Sequence, residues 1–249
     1  MENFIKFEKT EFGEQVNFLD SRAYQKRDNF FPGVTFILSV ISKGKQFENW
    51  LKSNGFNADY LAREAMNQGS HVHKGIEILL NNKEITVVDN NGNMIYTQHE
   101  WTMINRFYEF WTNCKPEKIE VEKVLVSDFL GYGGQLDFIC KINGELWLID
   151  FKTGSIYDSA YMQLAAYGKL WDEYNPSTPI QKYGIMHLEA LTKGADKKGE
   201  TMQGKGWKLI EIPNVERHFA DFQNVHQIWK REYPNWKPFF VIYPVKILL

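Results

Sequence analysis

The spacing of apolar and polar residues switches repeatedly along the chain between a helical period and a period of two. Residues 1–40 are rich in aromatics and end in FFPGVTFILSVIS, which predicts a turn at Pro32-Gly33 and then a buried strand or the start of a helix. From about Gln46 to Asn82 the spacing is mostly helical, interrupted at Ser53-Asn54-Gly55, and Leu61, Ala65, Val72, Ile76 and Leu79 form an apolar stripe. A loop at Asn90-Asn91-Gly92-Asn93 precedes an amphipathic helix over 98–113. The period then becomes two, predicting strands over 119–128, 134–142 and 145–151. A helix over 158–174 stops at Asn175-Pro176, and a fourth strand is expected at 181–190. The Lys- and Gly-rich stretch 193–206 reads as a mobile loop, followed by a strand at 207–212, a helix at 215–232 and an aromatic tail. The order helix, three strands, helix, strand predicts an α/β fold with a mixed sheet flanked by helices.

The most informative dipeptide is Asn143-Gly144, because a two-residue type I′ turn needs positive φ at both positions. Such a turn places Ile142 opposite Glu145, and counting back puts Asp137 opposite Asp150, with Gln135 and Lys152 on the same side of the sheet. The same count pairs Phe138 with Ile149, Cys140 with Trp147 and Leu136 with Phe151 on one face, and leaves Ile139 and Leu148 beside the acids on the other. Directly opposed residues have Cβ atoms about 5 Å apart, and like charges there repel. Between two covered faces they need a proton, a basic partner or a metal. Lys152 supplies one charge, and a cation of the magnesium or manganese type would supply the rest. Solvated acids on a surface hairpin, or a bulge that shifts the register, are the alternatives.

Two helical pairs carry further polar chemistry. His73 and Glu77 are four apart and share a helix face at the edge of the apolar stripe, placed either to ligate a metal or to form a surface pair. His71, two residues from His73, points elsewhere. Gln163 and Tyr167 are likewise four apart on the helix after Lys152, suited to bonding a phosphate or water, or to forming a polar edge on a buried helix.

Composition narrows the function classes. The chain has 249 residues, 43% hydrophobic and 15% aromatic, enough for a substantial core. A formal charge of −2 gives no overall attraction to a polyanion, so any nucleic-acid contact must be local. Candidates are Arg22, Lys26 and Arg27 near the start, with Tyr24 and Phe30 to stack on bases, and Lys193, Lys197, Lys198 and Lys205 in the late loop; a solvated surface is the other reading of each run. Two cysteines, Cys114 and Cys140, cannot build a four-cysteine zinc or iron–sulfur site and suit a reducing cytosol. The start MENFIKFEKTEF lacks the apolar run of a leader, and no stretch approaches the ~18 apolar residues of a membrane span, so a cytoplasmic location with no membrane is expected.

Taken in order, PGVTFIL (32–38), GSHVHKGIE (69–77), GGQLDF (133–138), IDFKTG (149–154) and QLAAY (163–167) resemble the PD-(D/E)XK nuclease superfamily, in its RecB-like and phage-exonuclease branch. The resemblance spans more than half of the chain. It departs from the nominal pattern in having Leu136 where proline precedes the first acid. It implies a restriction-endonuclease-like fold in one domain over 1–249, with an N-terminal helical extension (1–57), a nuclease core (58–232) and an aromatic tail (233–249). It makes His73, Asp137, Asp150 and the Phe151 carbonyl ligands of one or two Mg²⁺ or Mn²⁺ ions, with Glu77 a further candidate, and gives Glu122 an acidic position on the preceding strand. Lys152 becomes the catalytic lysine, and Gln163 and Tyr167 the helix residues of the motif. The implied function is hydrolysis of DNA phosphodiester bonds, an exonuclease more readily than an endonuclease, in recombination, repair or replication. A phage origin would place it in the host cytoplasm, alone, as a homo-oligomer or with a recombination or replication partner. The alternative is a catalytically silent nuclease-fold module that binds nucleic acid or assists assembly.

Overall fold

The computed structural model describes residues 12–17, 22–189, 193–195, 201–203 and 206–238. The chain begins with strands β1 (Glu14–Asn17), β2 (Arg22–Lys26) and β3 (Asn29–Pro32), then helices α1 (Val34–Leu38) and α2 (Lys45–Asn54). No turn forms at Pro32-Gly33: Pro32 ends β3, and Gly33, extended and bridged to Gly133, passes directly into helix α1. Helices α3 (Ala58–Leu80) and α4 (Gln98–Cys114) precede strands β4 (Glu117–Ser127), β5 (Tyr132–Ile142) and β6 (Glu145–Lys152). Helix α5 (Asp158–Tyr174) leads to β7 (Lys182–His187), the short pair β8 (Lys193–Ala195) and β9 (Thr201–Gln203), then β10 (Lys208–Glu211) and α6 (Val215–Glu232).

A five-stranded sheet in the order β10-β7-β6-β5-β4 forms the centre. It is mixed: β6 and β7 run parallel, joined by α5, while the other neighbours are antiparallel. Parallel neighbours need a crossover, and α5 supplies it. Each sheet face has its own core. Leu146, Leu148, Ile185 and Ile139 pack with α1, α5 and α6 through Val34, Leu164 and Phe222. Phe138, Cys140, Trp147, Ile149 and Phe151 pack with α3 and α4 through Val72, Ile76 and Phe107. Helix α4 starts with a capping box: Glu100 N–H donates to Thr97 Oγ1 at 3.2 Å, and Thr97 N–H donates to Glu100 Oε2 at 2.7 Å.

Three further expectations change. The N-terminal extension is not purely helical, because an antiparallel meander of β1, β2 and β3 precedes its helices and lies over β4 and β5. The apolar stripe of α3 is buried only in its second half, where Val72 and Ile76 enter the core, while Leu61 and Ala65 are exposed. Residues 193–206 include a short β8–β9 pair, though half of that stretch lies outside the described residues. Among the described residues no helix is long and apolar enough to cross a membrane.

Candidate active site

The β5–β6 turn forms as expected, with φ of 53° at Asn143 and 85° at Gly144. The ladder runs from Ile142–Glu145 to Phe138–Ile149 in the anticipated register. One step further, at Asp137 and Asp150, the strands part. The Phe151 N–H donates to the Asp137 carboxylate, Oδ2 at 2.9 Å, where a regular ladder would offer it a backbone carbonyl. Strand β6 continues along β7 instead, pairing Asp150 with Ile185 and Lys152 with His187. On the other side of β5, Glu122 has φ of 50° and interrupts β4 between the pairs Val121–Phe138 and Lys123–Leu136.

This distortion inverts the alternation of β5. Phe138 packs with α3 and α4, whereas Leu136, two residues away, belongs to the core beneath α5. The expected Leu136–Phe151 pair is therefore absent, because the pleat is lost at Asp137. Gln135 does not sit against Lys152 in a ladder either; its Nε2 donates to Glu122 Oε2 at 2.7 Å. Both Gln135 and Lys152 still line the same cavity.

That cavity, of about 440 Å³, is lined by His73, Glu77, Glu122, Asp137, Asp150 and Lys152, with Gln163 and Tyr167 from α5. His73 reaches over from α3, with Nε2 3.0 Å from the Phe151 carbonyl and Nδ1 3.5 Å from Asp137 Oδ2. Ligand-type atoms of His73, Glu122 and Asp137 lie within 4.8 Å of one another. Burial pushes the Asp137 carboxyl up to about 6; His73 counters this, and the nearby Asp150 adds to it. Burial raises Glu122 further, to about 8, helped by repulsion from Asp137 and Glu77. Such a cluster suits a cation, whose charge would offset both burial and repulsion.

Asp150 is held from the other side. Lys152 Nζ lies 2.7 Å from its Oδ2, and Gln163 Nε2 donates to its Oδ1 at 3.1 Å. Burial works against the Lys152 charge, but Asp150 and Asp137 outweigh it and hold the ammonium above its ordinary pKa. Gln163 ties the group together, since Lys152 Nζ lies 3.4 Å from its Oε1 and its Nε2 lies 3.2 Å from the Tyr167 hydroxyl. The Gly133-Gly134 pair makes this possible. A Cβ at Gly134 would stand 2.4 Å from the Tyr167 ring, and one at Gly133 2.5 Å from the Tyr24 ring. Gly134→Ala is expected to destabilise the protein by about 2 kcal/mol through overpacking between β5 and α5, measured by urea unfolding. An unchanged unfolding midpoint would show that Tyr167 moves aside freely.

The remaining candidates divide. Glu77 lines the cavity but pairs with Lys74 at 2.7 Å, outside the tight three-residue cluster. His71 does point elsewhere: its Nδ1 lies 3.1 Å from Glu100 and its ring stacks on Tyr96. Arg22 is exposed on the cavity rim and Arg27 is exposed in the β2–β3 turn. Lys26 is not available to a phosphate, because its Nζ donates to the Val126 carbonyl and the Tyr174 hydroxyl and pairs with Asp128. Tyr24 is 3% exposed, so its ring cannot stack on a base, while Phe30 is half-buried. Lys197, Lys198 and Lys205 lie outside the described residues, as does the Lys193 side chain. Glu122 is the member that residue patterns alone did not single out. No alternation rule flags a left-handed residue inside a strand.

No family model matches the sequence, and no curated protein does. Among fourteen matching chains of known structure is a protein from Eubacterium rectale that carries the provisional name exonuclease. It is 11% identical, with a TM-score of 0.43, over 69% of this chain and 70% of that one. A likeness of that size says nothing about function.

Proposed function

We propose that the protein is a metal-dependent nuclease hydrolysing phosphodiester bonds in DNA, and an exonuclease by preference. One observation carries this reading: His73, Glu122 and Asp137 converge within 4.8 Å, on the same cavity as the Lys152–Asp150 pair. His73, Glu122 and Asp137 would hold a divalent cation, with Asp150 and the Phe151 carbonyl alongside. An oxygen-rich donor set with one imidazole fits Mg²⁺ or Mn²⁺. Such an ion, when bound, activates water and neutralises phosphate charge.

The other groups act directly. Lys152 presents an ammonium to the same cavity, where it can donate to a phosphate oxygen as negative charge grows or orient the attacking water. Asp150 and Gln163 fix that ammonium by an ion pair and a hydrogen bond. Tyr167, buried beneath Gln163, sets its rotamer. A service in recombination, repair or replication, in one domain spanning 1–249, belongs to the same reading.

The test is incubation with linear and circular DNA, single- and double-stranded, in Mg²⁺ or Mn²⁺, beside Asp150→Ala. Linear DNA is expected to be cut, and cutting to stop with EDTA and in the variant. Ready cutting of closed circles would remove the exonuclease preference and keep the nuclease. If no DNA is cut with either metal, a silent nucleic-acid-binding module takes its place.

A further inference from the structure

A second cavity adjoins the first. It measures about 660 Å³, and Thr35, Lys152 and Gln163 line both, so the two share a wall at the lysine. Its far wall differs in chemistry. Phe47 of α2 meets Tyr157 edge-to-face at 6.1 Å, and Lys43 Nζ stands 4.8 Å from the Phe47 ring centroid and 5.8 Å from that of Tyr157. Both rings are half-buried, and Leu38 and Leu51 extend the apolar surface. This wall combines the Phe47 and Tyr157 rings with Lys43; Phe47 also stacks on Trp50 at 5.7 Å, and one acid, Glu48, lines the cavity and accepts from Ser42 Oγ at 3.3 Å. The adjoining helices present Phe56, Tyr60 and Met66 to solvent, and Met66 also lines the metal-ligand cavity.

We propose that this second cavity receives a nucleobase of a single-stranded DNA end, next to the bond cut at Lys152. The proposal rests on the nuclease reading for its substrate, and on the aromatic wall for its strand preference. Aromatic side chains accept any base face, each stack contributing about 1–3 kcal/mol, while a paired base would first have to leave its duplex. Lys43, whose Nζ stands over the Phe47 ring, then swings off that face to meet the phosphate that accompanies the base. The chain's small net charge agrees with this arrangement, since stacking supplies affinity that a −2 protein does not gain from overall charge.

The test needs no chemistry. Binding of fluorescent oligo(dT) and of an abasic single strand of equal length and charge is compared by anisotropy in EDTA, for the wild-type protein, Phe47→Ala and Tyr157→Ala. Melting curves confirm that each variant folds. The wild-type protein is expected to prefer oligo(dT) by about ten-fold or more, and each variant to lose most of that preference while binding the abasic strand as before. Equal wild-type affinity for the two strands would overturn the proposal, and so would an undiminished preference in both variants. Failure of the nuclease reading would show separately, as intact DNA in the cleavage assay.

Discussion

Lys152→Met is expected to slow DNA cleavage by about 10²–10³-fold, the range for losing one well-placed donor to developing charge. It is also expected to cost roughly 3 kcal/mol of stability, the low end for breaking a buried ion pair. The low end applies because the Lys152 side chain is a quarter exposed, whereas Asp150 is almost fully buried. After the change Asp150 keeps the Gln163 amide but has no counter-charge. Removing its charge as well, in Asp150→Asn/Lys152→Met, is expected to recover most of the lost stability and none of the activity. Urea unfolding in EDTA and initial cleavage rates on linear DNA check the two halves. A double variant no more stable than Lys152→Met would show that the Asp150 charge is not what destabilises the single variant. Retained cleavage in Lys152→Met would remove the lysine from the chemistry.

Local signals made one half of this site readable from sequence. Asn143-Gly144 fixes both the turn and the register, so Asp137, Asp150 and Lys152 can be brought together by counting alone. Spacing along α3 separates His73, which reaches the cavity, from His71, which bonds Glu100. Counting fails where the pleat fails. The left-handed backbone at Glu122 and the side-chain acceptor at Asp137 invert β5, sending Leu136 and Phe138 to different cores. Glu122 enters the cluster through that same distortion. The N-terminal meander was missed for a different reason. Its strands are only four or five residues long, and they are held by distant partners, such as Tyr24 on Gly133 and the Gly33–Gly133 bridge. Contacts separated by about a hundred residues leave no period in the sequence. The same separation hid the occupation of Lys26 by Val126, Asp128 and Tyr174.

Metal-free protein is expected to lose stability as the pH rises from 6.5 to 8, and Glu122→Gln to abolish that loss. The sign follows from where the protons sit. The Glu122 pKa is raised from 4.5 to about 8 in the folded protein, so between those values the folded state holds a proton that the unfolded chain has released. Stability therefore falls with rising pH until Glu122 is ionised on both sides. Asp137, raised to about 6, contributes the same sign mostly below the chosen window. His226, lowered to about 4, and His187, also lowered, both by burial, have the opposite sign, felt mainly below 6.5 where the unfolded chain's imidazoles gain protons. Between 6.5 and 8 the slope is thus mainly that of Glu122. With glutamine there, the protein in EDTA melts higher than wild type at pH 8 and nearly the same at pH 6.5. Mn²⁺ should reverse the trend in the wild type, because a bound cation favours the ionised ligand and releases its proton. The Mn²⁺-induced rise in Tm is then larger at pH 8 than at 6.5, and small at both in Glu122→Gln. Thermal melts with EDTA or Mn²⁺ at the two pH values measure all of this. A flat wild-type Tm in EDTA would show that Glu122 is solvated rather than buried, and a full Mn²⁺ response in Glu122→Gln would take it out of the ligand set.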